Sequence, residues 1–185
     1  MKQVPLFLIA LFASVTMFGQ DGDRIFKKFK VDLSFGYAMP QESGDVAGGT
    51  KAGALFAIEP KYAVLDQLSI GLRMEAAVMA NVDINGETGE AKANASYLLT
   101  GDYYFSNDKF RPFAGAGAGM FTSAKLTEDI INNEDEIPTK TSFGFMARAG
   151  FEFGHLRVGA EYNFVPDKAG YFGIKLGVCI GGGRL

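Results

Sequence analysis

Between residues 29 and 181 the chain alternates apolar and polar residues at every second position, run after run. At 29–39, Phe29, Val31, Leu33, Phe35, Tyr37 and Met39 share one parity, and Lys30, Asp32, Ser34, Gly36 and Ala38 share the other. Successive side chains on a strand point to opposite faces, so a period of two means one apolar face and one polar face. The pattern returns at 51–64, 68–80, 92–105, 141–153, 156–165 and 171–181. With 110–122 added it predicts eight strands of roughly 10–14 residues, where a tilted membrane strand needs ~9–11 and a soluble strand is usually ~5–6.

The connections alternate in length. Residues 40–50, 81–91 and 123–140 are long and rich in Gly, Asp, Glu and Asn, whereas 65–67, 106–109 and 154–155 are short and 166–170 is intermediate. An even number of antiparallel strands, with short turns at one end and long loops at the other, is the layout of an all-β, eight-stranded antiparallel up-and-down transmembrane barrel. Its N-terminus falls at the short-turn, periplasmic end. Ahead of the strands, Met1 and Lys2 precede the uncharged stretch VPLFLIALFASVTMF at 4–18. That stretch is short for a membrane-crossing helix and reads as a secretory signal peptide over 1–20. The expected organisation is therefore a cleaved segment 1–20, a periplasmic segment 21–28 and a barrel domain 29–185. No later segment supplies 18 consecutive apolar residues, so no helix is expected to span a membrane.

The formal charge is −3, and removing Lys2 with the leader leaves about −4. This acidity argues against nucleic acid as a partner. A single cysteine, Cys179, cannot form an internal disulfide.

The phrase RPFAGAGAGMF at 111–121 carries glycine at every second position. One parity holds Ala114, Ala116, Ala118 and Met120, the other Arg111, Phe113, Gly115, Gly117, Gly119 and Phe121. Neither is clearly polar, so the pattern alone leaves this strand's inward face open. If Arg111 points inward, the three glycines do too, leaving room for long charged side chains in a lumen that eight strands make just wide enough to fill.

The polar parity of the eight strands carries seven bases, Lys30, Lys61, Arg73, Arg111, Arg148, Arg157 and Lys175. It also carries six acids, Asp32, Glu59, Glu75, Asp102, Glu152 and Glu161. Seven against six leaves a net of +1, whereas an ion pathway shows an excess of one sign along its lining. Near-cancellation in a narrow lumen points to mutual pairing and a closed interior.

The phrases FRPFAGAGAGMF, FMARAGFEFG and YFGIKLGVCIGGGRL resemble the small outer-membrane β-barrel family of OmpX/OmpA-like domains common in the Bacteroidetes, over nearly all of 29–185. The resemblance implies residence in the outer membrane, contact with its lipid, and insertion by the barrel-assembly machinery. Many members end on an aromatic residue, whereas this sequence ends on Gly183, Arg184 and Leu185.

Parity alone also fits a soluble exported barrel of lipocalin type, with the apolar face inside around a ligand. Three features favour the membrane. Aromatics on the apolar parity gather near strand ends, as interfacial girdles do. The polar parity mixes Gly, Ala, Ser and opposite charges, which suits a filled interior. The strands are long.

Little in the sequence points to catalysis, a metal or a cofactor. The one histidine, His155, sits in the shortest turn. Cys179 has no second Cys or His near it in sequence. The acidic stretch 125–138 lacks the spacing of an EF-hand. The favoured reading is a structural barrel acting through its surface loops on an unidentified extracellular ligand, with a small diffusion channel as the alternative. The candidate interaction loop holds Glu128, Asp129, Ile130, Ile131, Glu134, Asp135, Glu136 and Ile137, apolar residues among carboxylates.

Overall fold

A computed structural model describes residues 24–40, 50–82, 91–126, 139–166 and 169–185. The signal segment and the candidate interaction loop at 128–137 lie outside the described residues. Eight strands form the fold: β1 Phe29–Pro40, β2 Thr50–Leu65, β3 Leu68–Val82, β4 Ala91–Tyr104, β5 Phe110–Leu126, β6 Thr139–Phe153, β7 Leu156–Phe164 and β8 Tyr171–Gly181. Each pairs antiparallel with the next, and β8 returns to β1, so the sheet closes into a barrel with no free edge. Among the described residues no helix is long and apolar enough to cross a membrane. A closed barrel is one of the two arrangements, with the helix, that can satisfy its own backbone in hydrocarbon.

The strands match the expected runs, with one systematic difference. β5 runs on to Leu126 and β6 begins at Thr139, so these two strands climb into what the sequence reads as loop 123–140. In that extension Ser123 faces Lys140 and Ala124 faces Thr139, just beyond Thr122 and Thr141, which share a 3.0 Å hydroxyl hydrogen bond. The polar composition that marks a loop is, in this hairpin, the part of a ladder that rises beyond the apolar band. The β2–β3 ladder is interrupted at Glu59 and Pro60, where proline has no N–H to donate. Gly154, at φ 62°, starts the two-residue β6–β7 hairpin, a position that calls for positive φ.

The two parities separate as the alternation requires. Phe35, Leu72, Leu99, Phe145, Leu176 and Ile180 lie exposed on the outer face, with edge-on aromatic pairs such as Tyr103–Phe105 and Tyr162–Phe164 near strand ends. The charged parity is buried in the lumen. Strand β5 resolves with Arg111, Phe113 and Phe121 buried and Ala116 and Met120 exposed, so Gly115, Gly117 and Gly119 face inward.

Residues 24–27 and 183–185 close the short-turn end. Phe26 bridges Arg184, Lys27 N donates to Gly183 O, and Leu185 N donates to Ile25 O. Arg24 donates to the carbonyls of Ala63 and Val64, and Asp66 accepts from the amides of Ile25 and Phe26. Residues 24–28 are thus hydrogen-bonded into the base of the barrel.

Leu99 is 63 % exposed at mid-strand on the outer face. Leu99→Arg should destabilise the barrel in lipid vesicles by about 2–4 kcal/mol, the cost of a cation on the lipid face near the bilayer midplane. A water-facing surface site would change by no more than about 0.5 kcal/mol. Urea titration of vesicle-inserted protein distinguishes the two.

Candidate functional site

The lumen is the chemically distinctive part of the molecule. Register sets like against like across β1 and β2: Lys30 faces Lys61, and Asp32 faces Glu59. Directly opposed like charges are destabilising, and the relief comes diagonally and across the lumen. Lys61 Nζ lies 2.6 Å from Asp32 Oδ2, 2.6 Å from Asp102 Oδ2 and 3.5 Å from Glu59 Oε2.

Asp102 on β4 is the hub. Besides Lys61 it accepts from Arg148 Nε at 2.7 Å and from Arg157 Nη2 at 2.8 Å. The other two nitrogens of Arg148 donate to both oxygens of Glu59, each at 2.7 Å, the bidentate fork that makes Arg–carboxylate pairs strong. Gly115 makes room for this. It faces Asp102 on one side and Arg148 on the other, and a Cβ there would run into the Asp102 carboxylate and come within 3.2 Å of Arg148 Nε.

Nearer the termini, Glu152 Oε1 accepts from Lys30 Nζ at 2.5 Å, from Tyr104 OH at 2.8 Å and from Arg157. The Arg157 guanidinium stacks 3.6 Å from the Phe113 ring centre. Towards the loop end, Arg73 pairs with Glu75 and Glu161, Lys175 pairs with Glu161, and Tyr171 OH donates to Glu75 Oε1 at 2.6 Å.

Arg111 departs from its expected place in the charge network. In register it faces Glu152, yet its Nη2 donates to Asp66 O at 2.5 Å and its guanidinium stacks on Phe26 and Tyr104, 3.9 and 4.1 Å from the ring centres. Among the described residues it forms no ion pair with a carboxylate. Glu152 is already taken by Lys30 and Arg157, so Arg111 turns towards the mouth.

Sequence reasoning missed an apolar layer in the lumen. Leu55, Met79, Leu98, Phe121, Met146 and Tyr171 cluster on the loop side of the ion pairs, all buried. The signal was available: these apolar residues sit on the otherwise polar parity, in the loop-side or middle part of their strands. Between the ionic layers, the space lined by Asp32, Glu59, Arg148, Arg157, Glu161 and Lys175 is a cavity of about 20 Å³, room for about one water molecule.

His155 sits exposed in its turn, with Nδ1 2.8 Å from Cys179 O. Cys179 is buried, and its sulfur lies within 4.8 Å of carboxylate oxygens of Asp32 and Glu152. This donor set does not suit a cation. Lys30, Lys61 and Arg157 already neutralise both carboxylates from within the same space.

A family model described as the outer membrane protein beta-barrel domain matches residues 6–177. No curated protein sequence matches the chain. Among solved structures, the fold is similar to neisserial surface protein A, at TM-score 0.61 and 17 % identity, covering 84 % of this chain and 98 % of that one. It is also similar to the N-terminal β-barrel domain of OprF from Pseudomonas aeruginosa, at TM-score 0.52 and 15 % identity, covering 84 % and 98 %. At these identities the likeness is one of fold.

Removing one member of the hub leaves charges buried without partners. Arg148→Ala should therefore cost about 3–5 kcal/mol, the range for breaking a buried ion pair. Arg111→Ala should cost less, because it strands no carboxylate. Unfolding both variants by urea in lipid vesicles gives the comparison, and an equal or larger loss for Arg111→Ala would contradict the assignment of the hub.

Proposed function

The chain belongs to the outer membrane protein beta-barrel domain family, and we propose on that footing that its barrel is closed to solutes, with a structural role and a surface role at the loop end. It is a protein of the outer membrane. The observation that carries the proposal is the filling of the lumen: ionic layers around Asp102 and Glu161, an apolar layer above them, and about 20 Å³ left between. A conducting lumen needs a continuous water-lined path, usually biased to one sign of charge. The paired carboxylates and cations supply neither.

The same arrangement argues for a non-enzymatic role. The buried acids and bases are committed to one another, and His155 faces the periplasmic end with Nδ1 set against Cys179 O. The surface role rests on the sequence of 127–138, where Ile130, Ile131 and Ile137 stand among five carboxylates. Apolar residues set in a polar segment are candidates for contact.

Two outcomes are expected. Purified protein in planar bilayers should show no steady conductance, and reproducible single-channel currents from the unmodified chain would establish a diffusion channel instead. Deleting 127–136 should leave membrane insertion and heat-modifiable gel mobility intact, because loops tolerate change. Failure of the deleted chain to insert would make the segment part of the fold.

A further inference from the structure

The terminal end of the barrel holds a separate cavity of about 300 Å³, at the small end of the range for ligand sites. Lys109, Arg111, Arg184, His155, Gly154 and Gly183 are among its walls. Lys30 and Glu152 also face it, and they neutralise each other at 2.5 Å. Asp108, the other acid on the wall, accepts from Ser106 Oγ at 3.1 Å.

That leaves Lys109, Arg111 and Arg184, three cations against the one carboxylate of Asp108, whose charge the Ser106 hydroxyl does not neutralise. Among the described residues none of the three is ion-paired with a carboxylate. They are held in place by groups that do not neutralise them. The Phe26 ring lies against both guanidinium groups, 3.9 Å from Arg111 Cζ and 5.9 Å from Arg184 Cζ. Lys109 Nζ sits 5.2 Å from the Phe153 ring centre. Arg184 Nη2 donates to Asn107 O at 3.1 Å, two residues before Lys109. Cation–π and carbonyl contacts orient a guanidinium while leaving its charge and its remaining N–H groups available. Beside them the cavity is open: a Cβ on Gly154 or Gly183 would meet nothing within 4 Å.

We propose that this mouth binds a phosphate group, with Arg184 and Lys109 as its direct contacts and Arg111 behind them. Oriented guanidinium forks match the oxygens of phosphate, and an ammonium adds a point charge. At the periplasmic end two sources offer that chemistry: the headgroup of an inner-leaflet phospholipid, or a soluble phosphate ester of the periplasm.

The test uses the full chain in phosphate-free maltoside micelles, observed by amide NMR. Inorganic phosphate and a short-chain phosphatidylglycerol are titrated separately. Saturable shifts at Gly154, Gly183 and Lys109 are expected. Saturation by inorganic phosphate supports the site with a soluble source, and saturation by the lipid alone supports it with a headgroup source. Arg184→Gln should weaken binding at least about tenfold, as the loss of a charge-assisted hydrogen bond predicts, and Lys109→Gln should act in the same direction. Both residues are exposed, and retained heat-modifiable mobility confirms that the variants fold. Gly183→Asp, which fits the open space, should weaken binding while leaving all three cations in place. The proposal is overturned if neither probe gives saturable shifts, or if Arg184→Gln and Lys109→Gln titrate like the unmodified chain.

Discussion

Three cations share the carboxylate of Asp102: Lys61 from β2, Arg148 from β6 and Arg157 from β7. Because Asp102 stands on β4, this one group ties together strands from around the whole circumference. Its energetic weight is asymmetric. Taking so many charges out of water costs nearly what their attraction returns, whereas removing a single partner leaves an uncompensated charge in a dry lumen. The network therefore constrains which walls face one another, and every inward-pointing residue nearby is shaped by it.

Strand β5 shows that dependence most directly. Gly115 sits between Asp102 and Arg148 in the ladder, and any side chain there would occupy the space in which they meet. At Gly117 a Cβ would come within 2.9 Å of Thr100 Cγ2, and Thr100 Oγ1 is the donor that reaches Glu59 Oε1 at 2.5 Å. Gly115 answers to the meeting of Asp102 and Arg148, whereas a Cβ at Gly117 would meet Thr100 and Met146 and one at Gly119 the backbone of Tyr97 and Leu98. A narrow barrel with that many long side chains on some strands has to empty another strand.

Period two in the sequence identifies the strands, their faces and the closed topology, because alternation over long runs admits few other folds. It also identifies most of the charged residues that line the lumen, but not the inward face of β5. It identifies partners only in part. Of the opposite charges in register, Glu152 and Arg157 pair, whereas Arg148 with Glu161 and Arg111 with Glu152 do not. Arg148 reaches across to Asp102 and Glu59, while Glu161 is taken by Arg73 and Lys175. Long side chains in a lumen choose partners by three-dimensional reach, which depends on the curvature of the wall and on where glycines leave gaps. The apolar layer was hidden for a related reason. Leu55, Leu98 and Met146 each look like a single lapse in alternation, and only closure of the sheet brings them together.

The lumen is thus filled by two different chemistries, stacked along the axis. Near the termini, ions face ions. Towards the loops, Leu55, Met79, Leu98, Phe121 and Met146 face one another. An apolar layer cannot hydrate a passing ion, and an ionic layer with every charge committed gives it no unoccupied counter-charge. On the closed-barrel proposal each would obstruct passage alone, and together they would separate the two ends of the barrel. The loop end opens above hydrocarbon side chains and the Tyr171 ring. The terminal end opens on Lys109, Arg111 and Arg184, oriented by rings and carbonyls. If the barrel is closed as proposed, whatever either end recognises it must recognise at its own rim, by the groups that stand there.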